Sequence, residues 1–340
     1  MGVTPWPADF TDAELTKAYD FINQHCDLVS HHFDEGIPYE EAYKNLPWPS
    51  RLSNEILLRK TKISAGKSIF LSSSALTLSR KEKADYYSGS DVSISDSIKN
   101  YWRSLAVNDN KVITAYVNYI SYLINEFNPS FVNYGVESNN LDWNPAAFSQ
   151  YKEFIGKVYG QLKIKYPTIP FFVSFMVNES PLALSYAAQL IPYSDYVSLS
   201  AYPYTVSSSA ANGNTDPSLL VTDFFTRFLD LAPGKPWGFA ETAYIAEDLV
   251  IPSFSLNKKG TEAWQQDYLN LICNLSNTRK AGFLIWFCFK DYDAGDIRLK
   301  SLGLYQDLFG LWEDTGLKDE NDRERIAYQS WLRWMDKIRQ

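Results

Sequence analysis

Cysteine is scarce in this chain of 340 residues, which has three cysteines, and histidine is equally rare. Cys26, Cys273 and Cys288 are odd in number, lie far apart in the chain and form no CxxC pair. This pattern excludes a disulfide framework and a cysteine-ligated zinc site. Because each cysteine lies in an apolar stretch, we expect three small buried hydrophobic side chains. No metal and no cofactor are predicted.

Long apolar runs and an excess of positive charge are also missing. No stretch approaches the ~18 consecutive apolar residues of a membrane-spanning helix. The 32 basic residues are outnumbered by 40 acidic residues, which gives a formal net charge of −8. The clustered basic surface of a nucleic-acid-binding protein is therefore not expected, and an anionic membrane surface is an equally poor partner. The hydrophobic content of 45% indicates a folded chain with a large core.

Aromatic residues are abundant, in contrast. They make up 16% of the chain, with 10 tryptophans and 23 tyrosines. Carbohydrate sites use such rings as stacking platforms, but hydrophobic cores use them as well. The composition therefore favours a carbohydrate partner only mildly.

Strand patterns and helix patterns alternate along the whole chain. Predicted strands occupy residues 2–4, 26–33, 67–73, 131–137, 171–177, 196–201, 237–241 and 282–289. Predicted helices occupy residues 11–24, 52–61, 109–126, 145–165, 181–190, 217–231, 261–280 and 322–338. Eight strands alternating with helices predict a parallel sheet that closes into a barrel. The expected fold class is α/β, a single (β/α)8 TIM barrel with a truncated first strand, and residues 1–340 are expected to form one catalytic domain.

The first strand is short, at residues 2–4. Such a stub is expected where upstream residues, such as an export signal, have been removed. This favours a secreted, periplasmic or surface-anchored protein. The alternative is a native start in the cytoplasm, and the sequence leaves the oligomeric state open.

Two of the predicted strands end in glutamate. The run 131–136 stops at Glu137, and the run 237–240 stops at Glu241. Because the carboxyl ends of the strands carry the chemistry of a parallel α/β barrel, we expect both side chains at the same mouth. Paired carboxyls about 5 to 5.5 Å apart are what retaining glycoside hydrolysis requires. The alternative is that each is an ordinary solvated residue at a strand end.

These features resemble the large clan of retaining (β/α)8 glycosidases, which carry glutamates at the ends of strands four and seven. Residues 241–244, Glu-Thr-Ala-Tyr, are similar to the strand-seven motif of the arabinogalactan endo-β-1,4-galactanase family, and residues 198–204 are similar to its strand-six ending. The resemblance covers the architecture of the whole chain. It implies that Glu137 is the acid/base, that Glu241 is the nucleophile, and that a poly- or oligosaccharide is cleaved by double displacement. That chemistry requires a raised pKa for Glu137, whereas Glu241 must stay ionised.

One position departs from the pattern of the clan. The clan usually has asparagine immediately before the acid/base, where it binds the sugar hydroxyl next to the anomeric carbon, and here that residue is Val136. We expect Asn139 or Asn178 to supply the missing hydrogen bond. The alternative is a sugar that presents this hydroxyl differently.

Further side chains are candidates for binding the sugar. Tyr202 follows strand six, where the clan has a tyrosine that donates to the nucleophile, and Trp286 lies in strand eight, where the clan has an aromatic floor under the sugar. Of His31 and His32 only one can face the mouth, because successive strand residues point to opposite sides. His32 with Asp34 forms a candidate site for sugar hydroxyls. For each of these side chains, ordinary packing or a surface position is the alternative.

The same residues bear on other functions. A phosphate-binding barrel needs a glycine-rich loop after strands seven and eight, and none is present there. A chitinase-type hydrolase carries an acidic cluster on strand four, whereas Glu137 stands alone. Asp291 and Asp293, beyond strand eight, provide too few oxygen ligands for a metal. Because Val136 replaces the asparagine, a catalytically weak or inactive glycan-binding barrel is one alternative function. A transglycosylase is another, since it would use the same two glutamates.

Overall fold

The computed structural model describes residues 1–89 and 94–338, and its central feature is a closed barrel of eight parallel strands. Numbered in chain order, the strands of the described residues are β1 (Gly2–Val3), β2 (Leu28–Phe33), β3 (Ser68–Ser73), β4 (Phe131–Gly135), β5 (Phe171–Met176), β6 (Val197–Ala201), β7 (Trp237–Thr242), β8 (Leu249–Ile251), β9 (Leu256–Lys258) and β10 (Leu284–Trp286). Strands β8 and β9 form an antiparallel hairpin outside the barrel. The other eight close in the order β1-β10-β7-β6-β5-β4-β3-β2. The predicted barrel is therefore confirmed.

The helices alternate with these strands. Within the described residues they are α1 (Asp12–His25), α2 (Tyr39–Lys44), α3 (Ser50–Lys62), α4 (Asp96–Ser104), α5 (Asn110–Phe127), α6 (Pro145–Lys165), α7 (Pro181–Leu190), α8 (Pro203–Val206), α9 (Thr226–Leu229), α10 (Glu262–Arg279), α11 (Asp293–Ser301) and α12 (Ile326–Ile338). Side-chain caps fix several of their starts, because an unpaired backbone N–H at a helix start needs an acceptor. The Thr11 hydroxyl accepts from the Glu14 N–H, and the Asn144 side chain accepts from the Ala147 N–H at 2.9 Å.

The barrel closes through its two-residue strand β1. Gly2 pairs with Leu28 of β2 on one side and with Ile285 of β10 on the other. A Cβ atom at Gly2 would lie 2.4 Å from the Leu28 carbonyl oxygen, so glycine permits the close approach at this seam. The short first strand that the sequence predicts is therefore sufficient to complete the ring.

Two hydrophobic layers hold the barrel in shape. Its interior is filled by a small cluster of inward-facing side chains, namely Leu28, Phe70, Phe172, Ala240, Phe283 and Ile285. The larger layer lies between the outer faces of the strands and the helices. Because successive strand residues point to opposite sides, each strand supplies both layers. The interior is thus a packed core, and the space for chemistry lies at the carboxyl ends of the strands.

The helix predicted for residues 217–231 is wrong. The structure has a 3₁₀ turn at Pro217–Leu219 and the single turn α9 instead. Phe224 and Phe228 are buried, but Leu219 is 48% exposed and Val221 is 37% exposed. The first half of the segment therefore buries no continuous apolar stripe, and a short helix without tertiary packing is not stable.

The loops at the mouth differ greatly in size. The loops after β2 and β3 carry α2 and α4, the loop after β7 carries the β8–β9 hairpin, and the segment after β10 carries α11 and a 3₁₀ stretch at Asp307–Trp312. These insertions supply most of the surface around the strand ends. Among residues 1–89 and 94–338, no helix has the length and apolar character needed to cross a bilayer.

Candidate active site

Glu241 lies one residue before the end of β7. Its Cα partner on the neighbouring strand β6 is Ser200, and the hydroxyl of Tyr202, just beyond β6, donates a hydrogen bond to a Glu241 carboxylate oxygen. The hydrogen bond expected between Tyr202 and Glu241 is therefore present. It gives the carboxylate a fixed orientation, because Tyr202 is itself buried.

Glu137 lies two residues beyond the end of β4, in the left-handed backbone region with a φ of 49°. Its backbone N–H donates to the Ser174 hydroxyl of β5 at 3.0 Å. The Ser200 hydroxyl of β6 donates to Glu137 Oε1 at 2.8 Å. Ser200 is thus paired in register with Glu241 and donates a hydrogen bond to Glu137. The two side chains meet at one mouth of the barrel, and the predicted separation of their carboxyls stays a prediction.

Arg80 is a site residue that the sequence analysis missed. It lies in the loop after β3, and its side chain is 7% exposed. Its Nη1 atom donates to Asp34 Oδ2 at 2.8 Å, and its Nε atom donates to Glu137 Oε2 at 3.4 Å. Burial alone would lower the pKa of Arg80, but the charges of Asp34, Glu137 and Glu241 outweigh burial and raise it. A permanently charged guanidinium therefore lies among three carboxylates.

Asp34 joins this network from the end of β2. Its Oδ2 atom accepts from Arg80 and lies 3.2 Å from His32 Nε2, whereas its Oδ1 atom is buried without a partner. Burial alone would raise the pKa of Asp34, but the charge of Arg80 and the hydrogen bond from His32 lower it. Asp34 is an ionised acceptor with one free oxygen.

His31 and His32 point to opposite sides of β2, as expected for successive strand residues. His31 is fully buried, and its ring lies 4.7 Å from the Phe127 ring in the outer layer. Burial lowers the pKa of His31 well below its usual value, so this imidazole is neutral. His32 is the one beside Asp34 at the mouth. Glu35, in contrast, is exposed and pairs with Arg51.

The charge environment of Glu241 differs from the sequence-based expectation. Burial is the main cause that raises the pKa of Glu241, and the charge of Glu137 adds to it. The charges of His32 and Arg80 and the hydrogen bond from Tyr202 act in the opposite direction. The net pKa of Glu241 lies above the ordinary value of 4.5. The donors around Glu241 therefore offset only part of the cost of burying its charge.

An aromatic wall, formed by Trp6, Tyr202, Phe287 and Trp312, borders Glu241 through the hydroxyl of Tyr202. The ring centroids of Tyr202 and Trp312 lie 5.7 Å apart, those of Phe287 and Trp312 lie 6.2 Å apart, and those of Trp6 and Phe287 lie 5.7 Å apart. The indole N–H groups of Trp6 and Trp312 are buried and have no acceptor. The wall therefore offers the half-buried rings of Trp6, Phe287 and Trp312 to a ligand, whereas its two indole N–H groups are closed off from the surface.

Trp286 does not belong to this wall, which corrects the prediction of an aromatic floor at that position. It is fully buried on the outer face of β10, its ring lies 6.3 Å from the Tyr268 ring of α10, and its indole N–H donates to the Thr315 carbonyl at 3.0 Å. Phe287 is the next residue and faces the other side. The sequence therefore identified the correct segment, but the residue of that segment in the aromatic wall is Phe287 and not Trp286.

Asn139 is not free to bind a ligand, which corrects its predicted role, whereas the role of Asn178 stays a prediction. The Asn139 amide donates to the Met176 carbonyl at 3.0 Å, and its oxygen accepts from the Met176 N–H at 2.7 Å. The Asn178 oxygen accepts from the Ser180 N–H at 2.9 Å, and its amide donates to the Met176 carbonyl at 3.3 Å. Both side chains bind backbone groups near the end of β5. The Asn139 amide therefore does not replace the asparagine that the clan has at the position of Val136.

Asn139→Ala tests this structural role. The substitution leaves the buried N–H of Met176 without its acceptor, so we expect a loss of stability of about 2 kcal/mol. The measurement is urea unfolding followed by tryptophan fluorescence. Asn178→Ala, at a less buried position, is the matched control and should cost less. An Asn139→Ala protein as stable as the unsubstituted protein would contradict the assignment.

Comparison with known proteins finds a likeness in fold. No protein family model and no curated protein matches the chain. The exo-β-1,4-mannosidase Op5Man5 from Opitutaceae bacterium strain TAV5 superposes with a TM-score of 0.62 at 15% identity, over 99% of this chain and 59% of that chain. The Ignisphaera aggregans GH53 catalytic domain has a TM-score of 0.59 at 15% identity, over 97% of this chain and 95% of that chain.

A psychrophilic glycoside hydrolase family 10 endo-β-1,4-xylanase also matches, with a TM-score of 0.61 at 12% identity, over 97% of this chain and 95% of that chain. This chain therefore spans the length of the GH53 domain and of the xylanase, but 59% of the length of the mannosidase. At these identities the likeness establishes the fold. These matched neighbours are glycoside hydrolases, and this chain has their (β/α)8 architecture.

Proposed function

We propose that this protein is a retaining glycoside hydrolase in which Glu241 is the nucleophile and Glu137 the acid/base. The observation that carries the proposal is the arrangement on β6. Ser200 donates to Glu137, and Tyr202 donates to Glu241. Because these two donors are two residues apart, they lie on the same side of the chain and bring both carboxyls to one mouth. The mannosidase, the GH53 domain and the xylanase compared above support the same class of reaction.

The reaction proceeds in two displacements. First, Glu137 gives its proton to the glycosidic oxygen, while the Glu241 carboxylate attacks the anomeric carbon and the bond to the leaving group breaks. The Glu241–sugar ester forms at this point. Glu137, now ionised, then takes a proton from water, whose oxygen attacks the anomeric carbon and releases Glu241. Tyr202 donates to the Glu241 carboxylate whenever it is charged.

Arg80 has a defined place in this scheme. Its shorter contact is with Asp34, at 2.8 Å, and its contact with Glu137 is longer, at 3.4 Å. The guanidinium therefore lies closer to Asp34 than to Glu137, the residue that donates the proton of the first step. When Glu137 has given up that proton, Arg80 is the cation that stabilises its carboxylate.

The substrate is proposed to be a poly- or oligosaccharide with β-1,4 links. The matched mannosidase and xylanase carry β-1,4 in their names. The motif at residues 241–244 supports a galactan-like chain, as in the arabinogalactan endo-β-1,4-galactanase family. The aromatic wall supplies ring faces beside Glu241, which is the kind of surface that a sugar ring binds.

A glycan-binding barrel without turnover is the second candidate, and two observations favour it. Val136 stands where the clan has asparagine, and the Asn139 amide is already engaged with two backbone carbonyls. The raised pKa of Glu241 also works against the ionised nucleophile. Such a protein would bind glycans at the aromatic wall and release no reducing ends.

A glycan screen separates the two functions. The protein is incubated with plant and microbial polysaccharides, and the products are resolved by size. The proposal requires products with the unsubstituted protein and none with Glu137→Ala or Glu241→Ala. Glu153→Ala, an exposed glutamate on α6 that pairs with Lys157, is the matched control and should keep full activity. Binding of a glycan without any product would overturn the hydrolase and support the binding protein.

Azide rescue assigns the two roles. Glu241→Ala cannot form the sugar ester, but it leaves space on the face opposite the leaving group. Azide should therefore attack an activated aryl glycoside directly and give a product of inverted configuration. Glu137→Ala still forms the ester from such a substrate and then stalls, and azide should give a product of retained configuration. The configuration of the glycosyl azide is read by NMR.

Each azide outcome has a clear meaning. Exchanged configurations would show that the roles of Glu137 and Glu241 are reversed. Near-normal hydrolysis of a natural glycan by either alanine variant would remove the two-carboxylate mechanism.

Tyr202→Phe tests the donor to the nucleophile. The reaction needs ionised Glu241, so kcat/KM should rise with pH through a pKa above 4.5. The Tyr202 hydroxyl lowers the pKa of Glu241, so its removal should move this rising limb to higher pH. We also expect kcat to fall about 10-fold or more with little change in KM, since the hydroxyl supports a charge that changes during the reaction. If the rising limb of the pH profile does not shift and kcat is unchanged, Tyr202 has a packing role only.

A further inference from the structure

Arg80 carries a hydrogen-bond donor that the proposed mechanism leaves unused. Its Nη1 atom donates to Asp34 Oδ2 at 2.8 Å and to the Thr77 carbonyl at 3.3 Å, and its Nε atom donates to Glu137 Oε2 at 3.4 Å. Its Nη2 atom, in contrast, has no acceptor within the part of the chain that the structure describes. Unlike the two indole N–H groups of the aromatic wall, Nη2 is not closed off from the surface. Arg80 therefore presents one free donor at the mouth.

The planar shape of the guanidinium determines where this donor lies. Nε and Nη2 form one edge of the guanidinium, and their N–H bonds on that edge run parallel. The N–H bond of Nε points to the carboxyl of Glu137. A ligand atom that accepts from Nη2 on this edge therefore lies beside Glu137. It is next to the group that is proposed to protonate the glycosidic oxygen.

The turn that carries Arg80 is held in place by its own backbone and by the segment after Glu137. The Arg80 N–H donates to the Thr77 carbonyl at 2.9 Å, and the Arg80 backbone has a φ of 59°. The Asn140 amide donates to the Ser79 carbonyl at 3.1 Å, which joins the turn to the loop after β4. The guanidinium is thus oriented before a ligand arrives, and an oriented donor costs less entropy on binding.

A single free nitrogen fits a hydroxyl better than an acidic group. Arginine binds a carboxylate, sulfate or phosphate best through two parallel N–H groups. Nε and Nη1 of Arg80 are already committed to Glu137 and Asp34. The Asp34 carboxylate beside this guanidinium would also repel a further anion. A sugar hydroxyl, in contrast, is neutral and needs only one donor.

We propose that Arg80 donates through Nη2 to the 2-hydroxyl of the sugar ring that Glu241 attacks, and that this ring is neutral. The assignment rests on the proposed function, which defines the attacked ring. The 2-hydroxyl is the ring hydroxyl next to the anomeric carbon, so it lies close to the bond that Glu137 protonates. Hydrogen bonds to this hydroxyl strengthen in the transition state of glycoside hydrolysis. Arg80 is thereby a substrate-binding residue as well as a partner of Glu137.

Kinetics that combine a substitution with a deleted hydroxyl test this contact. The substrates are 4-nitrophenyl β-galactoside and its 2-deoxy analogue, and the proteins are the unsubstituted form and Arg80→Lys. Lysine keeps the positive charge beside Asp34 but has no planar fork. We expect the substitution to lower kcat/KM at least about 10-fold more for the galactoside than for the 2-deoxy analogue, the size of a hydrogen bond from a charged donor. An effect of Arg80→Lys on Glu137 is common to both substrates and cancels in this comparison.

Equal losses of kcat/KM with the two substrates would overturn the contact. Arg51→Lys is the matched control, because Arg51 is an exposed arginine that pairs with Glu35, and it should change neither substrate. Asp34→Asn is the second variant if Arg80→Lys does not fold, since it keeps the side-chain shape and removes the charge that holds Arg80. Its loss should again be greater for the galactoside, and equal losses would have the same meaning as before.

A binding measurement separates this role of Arg80 from the proposed hydrolysis. β-1,4-Galactotetraose and tetragalacturonate are titrated in a calorimeter into proteins that carry Glu241→Ala, so that no ligand is consumed. We expect the neutral galactotetraose to bind more tightly than the acidic tetragalacturonate. Adding Arg80→Lys should weaken the binding of galactotetraose at least about 10-fold.

The two ideas then fail in different ways. If the unsubstituted protein releases no product but the binding pattern is as expected, the hydrolase function is wrong and Arg80 still binds the sugar. If galactoside is hydrolysed but Arg80→Lys costs both substrates equally, the function holds and the role of Arg80 is wrong. Tighter binding of tetragalacturonate, or no binding of galactotetraose, would overturn the neutral ring.

Discussion

A carboxylate withdrawn from water must find donors or a cation, and this constraint organises the mouth of the barrel. Glu137 finds Ser200 and Arg80, and Glu241 finds Tyr202. These partners come from β6, its C-terminal end and the loop after β3, so each carboxyl is satisfied only when nearby strands have assembled. The buried Asp291, just beyond β10, meets the same constraint through the guanidinium of Arg325. One physical rule thus accounts for the arrangement of the proposed catalytic pair and of this ion pair.

The architecture was largely predictable because the pattern of each element is local. Seven of the eight predicted helices correspond to helices in the structure, and the eight predicted strands all appear in the barrel. The failure at residues 217–231 has a physical cause. Residues such as Leu219 and Val221 give an apolar pattern, but they remain exposed. Whether a helix forms there depends on a packing surface, and the local sequence does not reveal that the surface is missing.

In the candidate site, the residues that could be predicted from the sequence are those at the ends of strands. Glu137, Glu241, Tyr202 and His32 follow from strand boundaries and alternation. Arg80 could not be found in this way, because it lies in a long polar loop and reaches Glu137 and Asp34 across the mouth. The partners of Asn139 could not be predicted from the sequence either, since its amide binds the backbone of a neighbouring strand. Long-range partners of loop residues are set by the folded barrel, and short motifs do not encode them.

Trp286 shows that a residue outside the mouth can still shape it. Its indole donates to the Thr315 carbonyl, and the Thr315 hydroxyl in turn donates to the carbonyl of Phe287. The chain from Trp312 to Thr315 is therefore anchored to the outer face of β10, while Trp312 packs on Tyr202. Trp286 thus helps to position the aromatic wall through the backbone, although its own ring never reaches the mouth.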